Sequence, residues 1–392
     1  MAKINAVNIT EFSFNTPDIG LETAAAGVGN MSYIKGNQFE AKRFAIKIST
    51  DEGHAGEYVT NWVSTSSSFG QAVMLAPTLV GRNPEHREAL YDALKREGRA
   101  YDHMGHGMLD IALWDLVGKM HGASVKSMLG GYRDTLPTYA STYHGQESKG
   151  GLCTPQAYAD YAELCQSLGF HGIKIHGWMN GNVARESENL RLVRARVGDD
   201  WRIMLDPACT LKTWNDALAV GRVCDEINCF WYEDPYMDSG VSAFGQQRLR
   251  ERLATPMLVS EHVRGLEQKA SFMLNGGCDI IHTDPEYDMG ITGVMKIAHF
   301  CEAVGLDLQL HAVGPAHRLC MSAIRNTHMY EMALVGPDMP NIVAPVYTCG
   351  YSDHPSDLPT DGCVPVPNGP GLGVQYDWGF INAHQTQHVV VD

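Results

Sequence analysis

The stretch RIMLD at residues 202–206 shows the most informative pattern in this sequence: a short apolar strand ends on a polar side chain, and the unit then recurs. The recurring runs RIMLD, CFWYE, MLVSE, DIIHTD, DLQLH and THMYE end at Asp206, Glu233, Glu261, Asp284, His311 and Glu331. Successive ends lie 27, 28, 23, 27 and 20 residues apart. A strand, a loop and a returning helix need about that many residues, so the spacing predicts consecutive βα units.

Two earlier runs complete the set of strands. TLPTYAST at 135–142 and GIKIH at 172–176 have the same character, which makes eight predicted strands. Eight βα units predict an α/β protein with a (β/α)₈ barrel of the TIM type, whose chemistry lies at the C-terminal ends of the strands. The competing architecture is a doubly wound open sheet. It is less favoured because no glycine-rich phosphate fingerprint follows an early strand.

The sequence patterns at the two ends of the chain differ from this repeat. Residues 1–60 predict strands, including a hairpin that turns at STDEGHAG, and GHGMLDIALWDLVGKMHG predicts a helix that stops at Gly122. The last stretch is rich in proline and glycine, but YDWGFI offers apolar anchors. We therefore predict an α+β capping domain over 1–130, the barrel over 135–340, and a segment over 345–392 that packs back on the cap.

Composition restricts the partners. The chain has 30 basic and 45 acidic residues, a formal net charge of −15, which disfavours nucleic acid and anionic membranes. No apolar run approaches the roughly 18 residues of a membrane span, and the N-terminus lacks a signal-peptide pattern. The ten cysteines show no CxxC spacing and indicate free thiols in a reducing compartment. We expect a cytoplasmic homo-oligomer that acts on a small molecule.

Three acidic strand ends predict a metal site. In a barrel, Asp206, Glu233 and Glu261 point into one cavity, where three unpaired anions would repel one another and raise each other's pKa values. A hard divalent cation removes that repulsion. Oxygen ligands without a cysteine or histidine triad suit Mg²⁺ better than Zn²⁺.

The next strand ends predict acid–base chemistry. Asp284 and His311 lie on neighbouring strands, and an aspartate bonded to one imidazole nitrogen fixes the tautomer and raises the basicity of the other. Glu331 closes the ring on the last strand. Because strand side chains alternate, Lys174 and His176 share one face of GIKIH, and we predict that this face lines the barrel mouth.

These residues, in this order, resemble the mandelate racemase subgroup of the enolase superfamily. The motifs GMLDIALWDLVGK, LDPACTLKTW, YEDPY, SEH and GPGLGVQYDW carry the resemblance over nearly the whole chain. It implies a barrel modified in the enolase manner, capped by a domain built from both termini. It also implies that Mg²⁺ assists abstraction of the proton next to a carboxylate, through an enediolate.

The resemblance also implies residue roles. Asp206, Glu233 and Glu261 would be the metal ligands, His311 with Asp284 the base on one face, and Glu331 a hydrogen-bond donor to the substrate carboxylate. Two positions depart from the family pattern. His176 stands where racemising members have a second lysine, and Ala208 stands where asparagine is common.

Further residues are assigned to the mouth of the site. We expect His144 and Arg264 to hold substrate hydroxyls or a carboxylate, and Tyr58 and Trp62 to contact substrate from the cap. His262 directly follows a metal ligand, so alternation predicts that it points away and has a structural role.

The predicted activity is that of an acid-sugar dehydratase, a hydro-lyase that removes water from an aldonate or aldarate to give a 2-keto-3-deoxy acid. A racemase, epimerase or cycloisomerase acting on a related hydroxy-carboxylate is the alternative within enzymes. A non-catalytic sugar-acid binding protein is the alternative outside them.

Overall fold

The computed structural model describes residues 2–23, 29–62, 65–237, 241–338 and 342–392. The predicted domain ranges also contain residues 1, 24–28, 63–64, 238–240 and 339–341, which lie outside the described residues. The strands are β1 (Ile4–Thr23), β2 (Gly29–Thr50), β3 (Ala55–Val59), β4 (Thr135–Thr142), β5 (Gly172–His176), β6 (Arg202–Asp206), β7 (Trp231–Glu233), β8 (Met257–Val259), β9 (Ile280–Thr283), β10 (Asp307–Leu310), β11 (Tyr330–Val335), β12 (Cys363–Pro365) and β13 (Gln385–Val391). The helices are α1 (Ser66–Leu75), α2 (Arg87–Glu97), α3 (Gly107–Met120), α4 (Val125–Met128), α5 (Pro155–Ser167), α6 (Val183–Val197), α7 (Trp214–Glu226), α8 (Ala243–Arg250), α9 (Leu266–Leu274), α10 (Gly290–Ala303), α11 (Pro315–Ala323) and α12 (Trp378–Ala383). No helix within these described ranges has the length and apolar character needed to cross a membrane.

The central sheet holds the eight predicted strands in their predicted order. From β4 to β10 each strand pairs with the next, and β11 returns beside β4 in parallel. The registers bring functional residues together; His176 on β5, for example, pairs with Asp206 on β6. The α/β fold class predicted from the repeat is confirmed.

The curled sheet is not closed by a strand ladder all the way round. Among the described residues, no ladder joins β10 to β11. Instead, Leu308 N donates to Asn326 O at 2.8 Å, and the Gln309 side chain donates to Met329 O. These bonds satisfy backbone groups that a ladder would otherwise pair.

A second, antiparallel sheet forms the cap in the order β13–β1–β2–β3. The C-terminal strand pairs with the N-terminal one, with Val7 opposite Val391 and Ile9 opposite Val389. Val7 and Ile9 are buried, as the alternation of β1 requires. The cap is therefore built from both ends of the chain, while the predicted domain boundaries stay a prediction.

Helix α3 joins the cap to the barrel. Its residues from Gly107 to Gly118 are all buried, because a helix that is apolar on every side must be covered on every side. Its Asp110 accepts from Thr292 N at 3.0 Å and Thr292 Oγ1 at 2.7 Å. Thr292 lies in the first turn of α10, where amide groups lack helical partners, so Asp110 caps a barrel helix from the cap side.

The start of α3 gives a test of this docking. A Cβ at Gly107 would lie 2.3 Å from Pro285 O and 2.6 Å from Glu286 O. We expect Gly107→Ala to lower the free energy of unfolding by about 1–3 kcal/mol, measured by denaturant titration. Gly70→Ala is the control, because Gly70 is exposed on α1 with open space around it and should gain about 0.5–1 kcal/mol. Unchanged stability of Gly107→Ala would contradict the close approach.

Candidate active site

A cavity of about 260 Å³ opens at the C-terminal ends of the barrel strands. The predicted site residues that line it are Trp62, His144, Lys174, His176, Asp206, Glu261, His311 and Glu331. The remaining predicted residues, Glu233, Asp284, Tyr58 and Arg264, are not part of this lining.

The floor beneath the cavity is apolar. Tyr139, Met204, Trp231, Leu258, Ile280 and Met329 form a separate buried cluster inside the barrel. Met204 and Trp231 each lie two residues before a strand-end acid, so alternation places them on the same inward face. Trp231 Nε1 donates to Glu233 Oε2 at 3.0 Å, which fixes that carboxylate from below.

Lys174 lies at the centre of three carboxylates. Its Nζ is 2.9 Å from Glu331 Oε1, 3.0 Å from Glu233 Oε1 and 3.4 Å from Asp206 Oδ2. Burial alone would lower the pKa of Lys174, but the Glu233 and Glu331 carboxylates raise it well above its usual value. The side chain is therefore an ammonium ion, held in place by the acids around it.

His176 has one nitrogen committed to the backbone. Its Nδ1 is 2.6 Å from Thr142 O, and since a carbonyl only accepts, Nδ1 carries the hydrogen. Its Nε2 is 2.9 Å from Asp206 Oδ2. The His144 ring lies 4.7 Å from the His176 ring, and burial, with His176 beside it, lowers the pKa of His144 to about 3. His144 is thus a neutral imidazole in the cavity wall.

The structure brings the predicted dyad together. His311 Nδ1 is 2.8 Å from Asp284 Oδ2, and His311 Nε2 faces the cavity, 3.7 Å from Glu261 Oε1. Burial would raise the pKa of Asp284, but His317 and His311 hold it well below its usual range. Burial would lower the pKa of His311, yet the carboxylates of Glu261 and Asp284 raise it to about 9.

Glu331 accepts hydrogen bonds in this structure, and its role as a donor to the substrate carboxylate stays a prediction. Lys174 and the amide of Ala312 both donate to its carboxylate. Burial would raise the pKa of Glu331, but Lys174 and His311 lower it to about 2. A group held in its ionised form only accepts hydrogen bonds, so Glu331 acts here as the counter-ion of Lys174.

Acidic groups and histidines around Glu261 form a candidate metal site. Ligand atoms of Glu233, Glu261 and His282 lie within 4.8 Å of one another, as do those of Asp234, Glu261 and His262. Asp206 belongs to neither of these two groups of ligand atoms. The sequence predicted the two glutamates but neither histidine.

Asp234 shows that a cation fits this site. It is buried, and neither carboxylate oxygen has a hydrogen-bond partner within the part of the chain that the structure describes. Burial raises the pKa of Asp234 to about 7; His262 opposes the rise and Glu261 adds to it. Buried acidic oxygens without donors are the ligands that a hard divalent cation satisfies.

Sequence reasoning missed Asp234 and misjudged His262 for the same reason. Strand alternation would turn both away from the cavity, because each directly follows a predicted metal ligand. The backbone breaks that alternation, with φ of 25° at Asp234 and 92° at Ser260, two residues before His262. Both side chains therefore line the cavity, so the prediction that His262 points away from it is wrong.

Two predicted substrate contacts are placed elsewhere. Tyr58 is fully buried, and its hydroxyl donates to Glu286 Oε1 at 2.5 Å. The guanidinium of Arg264 lies 4.1 Å from the centre of the Tyr287 ring and donates to the backbone oxygen of Glu261. Neither side chain faces the cavity, because each is engaged by the protein itself. Trp62 does reach it, with its ring edge-on to His311 at 5.5 Å.

Comparison with known families agrees with this geometry. A family profile described as enolase C-terminal domain-like matches residues 157–379, and the mandelate racemase/muconate lactonizing enzyme N-terminal domain matches residues 34–130. The chain belongs to the mandelate racemase/muconate lactonizing enzyme family. The resemblance predicted from the motifs is confirmed.

Relatives in this mandelate racemase family include acid-sugar enzymes of two reaction types. The chain is 26% identical to arabinonate dehydratase of Saccharolobus solfataricus, over 84% of this chain and 87% of the relative. It is also 26% identical to D-galactarolactone cycloisomerase of Agrobacterium fabrum, over 76% and 79%. The solved structure of D-glucarate dehydratase from Agrobacterium tumefaciens, complexed with magnesium, shares 27% identity with a TM-score of 0.83, covering 98% of this chain and 99% of that one.

Proposed function

We propose that this protein is a Mg²⁺-dependent acid-sugar dehydratase. It would abstract the proton next to the carboxylate of an aldonate or aldarate and eliminate the neighbouring hydroxyl to give a 2-keto-3-deoxy acid. Acid-sugar dehydratases among the relatives support the substrate class, and one of them was solved with magnesium. The cytoplasmic location and the homo-oligomer stay predictions.

One observation carries the proposal: two imidazoles reach the same cavity from different sides of the barrel. β5 carries His176 and His311 directly follows β10; these strands are separated by β11 and β4 on one side and by β6 to β9 on the other. Each imidazole has Nδ1 bonded to a fixed acceptor, so Nε2 is the nitrogen that would transfer a proton; in His176 this requires giving up the 2.9 Å contact of Nε2 with Asp206 Oδ2. Dehydration needs one group that takes a proton and one that gives a proton.

The residues divide these tasks. A bound Mg²⁺, held by Asp206, Glu233 and Glu261, would offset negative charge on the substrate carboxylate. Lys174 stays charged and adds electrostatic stabilisation as the enediolate forms. His176 Nε2 takes the proton from the α-carbon. His311, held by Asp284 through Nδ1, would donate its Nε2 proton to the departing hydroxyl, which leaves as water. The resulting enol tautomerises to the 2-keto acid.

A second candidate function rests on the same pair of imidazoles. Two acid–base groups on opposite sides of an α-carbon can remove a proton from one face and return it to the other, which is epimerisation. The cycloisomerase relative shows that this family also holds reactions other than dehydration.

Deuterium incorporation separates the two functions. A panel of mono- and diacid sugars is screened for 2-keto acid formation, and the active substrate is then incubated in D₂O with Mg²⁺ and followed by NMR. We expect a 2-keto-3-deoxy acid carrying deuterium at C3. A parallel incubation with chelator should give no product. An epimerised substrate deuterated at C2, with no keto acid, would reject dehydration and support the second function.

A further inference from the structure

A buried carboxylate of the barrel receives three hydrogen bonds from the cap. Glu286, in the loop after β9, is fully buried. Its Oε1 accepts from Tyr58 Oη at 2.5 Å and from Asn61 N at 2.7 Å, and its Oε2 accepts from Trp62 N at 2.9 Å. All three donors belong to cap segment 58–62, which ends β3 and leads towards α1.

The same loop supports the His311–Asp284 dyad. Glu286 N donates to Asp284 Oδ1 at 2.6 Å, and Asp284 Oδ2 holds His311 Nδ1 at 2.8 Å. The Trp62 ring lies edge-on to the His311 ring at 5.5 Å. Tyr287, next to Glu286, stacks on His311 at 5.4 Å with an interplanar angle of 20°. A continuous chain of contacts thus runs from His311 to Asp284, then to Glu286 and cap segment 58–62. It returns to His311 through the ring of Trp62.

Cap segment 58–62 also touches the loop that follows His311. Gly314 has φ of 139°, and a Cβ there would lie 2.4 Å from Nδ2 of the Asn61 side chain. The Asn61 side-chain oxygen accepts from Tyr347 Oη at 3.2 Å. The segment is therefore seated against both loops that carry the dyad, and not only against Glu286.

We propose that Glu286 is a positioning residue that holds cap segment 58–62 on the dyad, so that Trp62 fixes the imidazole of His311 and shields it from water. The role of His311 in this inference rests on the proposed function. Burying an ionised carboxylate is costly unless its hydrogen bonds are made. Glu286 therefore favours the seated arrangement of the segment over any arrangement that withdraws the three donors.

General docking of the cap does not need Glu286, because α3 already docks through Asp110 and Thr292. Asp110 is a buried carboxylate at the same cap–barrel contact and has donors of the same kind, but it does not touch the dyad. Asp110→Asn is therefore the matched control for Glu286→Gln. If Glu286 served only to dock the cap, Glu286→Gln and Asp110→Asn would have the same effects on stability and activity.

Two readouts test the proposal. The first is acrylamide quenching of Trp62 fluorescence. The Trp62 signal is obtained in each background by subtracting the fluorescence of the corresponding Trp62→Phe variant. This measurement needs neither substrate nor metal. The second is kcat/KM, with kcat and KM determined separately. Glu286→Gln places an amide NH₂ against the donors, so we expect Trp62 to become more accessible and kcat/KM to fall about 10–100-fold. Asp110→Asn should lower the melting temperature and change neither readout.

A double-mutant cycle completes the test. If Glu286 acts through Trp62, Glu286→Gln in a Trp62→Ala background should cost less than about twofold further. Tyr58→Phe removes one donor only and, should Glu286→Gln fail to fold, is expected to lower kcat/KM by about three- to tenfold with increased quenching. Unchanged quenching of Trp62, or additive losses in the cycle, would overturn the proposal. A wild-type protein that turns over no acid sugar would reject the proposed function, while the quenching result would still decide whether Glu286 holds Trp62.

Discussion

Replacing Glu233 with glutamine is expected to abolish magnesium-dependent turnover while leaving the fold intact. Glutamine has nearly the same size, and its carbonyl oxygen can still accept from Trp231. The substitution removes a negative charge from the candidate metal site and one of the carboxylates around Lys174. We expect metal affinity to fall by more than the ~10–100-fold typical of residues that only orient a metal ligand.

The loss is measured by initial rates against Mg²⁺ concentration and by thermal denaturation. A ligand that binds only the folded state adds about 2.7 kcal/mol at 100 times its Kd, so Mg²⁺ should raise the melting temperature of the wild type but not of Glu233→Gln. Glu226→Gln is the control, because Glu226 is an exposed glutamate at the end of α7 that pairs with Arg191 and does not line the cavity. Near-normal turnover of Glu233→Gln at low Mg²⁺ would show that Glu233 is not a ligand.

Replacing His311 with asparagine is expected to lower kcat by about 10²–10⁴-fold, the usual range for a group that transfers a proton in the transition state. Asparagine can still donate to Asp284, so the change removes the imidazole Nε2 and keeps the hydrogen bond behind it. The variant should retain Mg²⁺ binding, because His311 is not a predicted ligand. This separates it from Glu233→Gln.

Exchange of the α-proton with D₂O identifies the step that His311 performs. If His311 protonates the departing hydroxyl, as proposed, His311→Asn should continue to exchange the α-proton while dehydration is lost. Loss of both would reassign His311 as the base. His299→Asn, a change of an exposed histidine on α10, should leave both activities unchanged. Full turnover by His311→Asn would remove His311 from the mechanism.

Much of the site follows from local pattern. The spacing of polar strand ends predicts the eight strands and their order, and these strands bring His311 to Asp284 and Lys174 to Glu233 and Glu331. Such predictions succeed because βα spacing and strand alternation are properties of a few neighbouring residues. The motifs also suffice for the family, since they extend over both matched domains.

Predictions fail where the backbone leaves regular geometry. Alternation turns Asp234 and His262 away from the cavity, but left-handed backbone at Asp234 and Ser260 brings both to its wall. Neither residue type is enough to predict this conformation, because positive φ is common only for glycine, and aspartate, although enriched among the exceptions, adopts it in a small minority of cases. A rule for regular strands therefore fails after a strand wherever the backbone adopts such a conformation.

The order of the strands, the acids and the dyad at their ends, and the family could all be predicted from sequence pattern. Which side chains bond to one another across the chain could be seen only in the folded structure. Tyr58 and Glu286 are 228 positions apart, and their bond turns a predicted substrate contact into part of the support for His311. Arg264 lies over the Tyr287 ring and does not line the cavity, and Glu331 accepts from Lys174 beside it. Local sequence determines the face of the strand on which a side chain lies. Its bonding partner depends on the burial and charge that distant segments of the chain contribute.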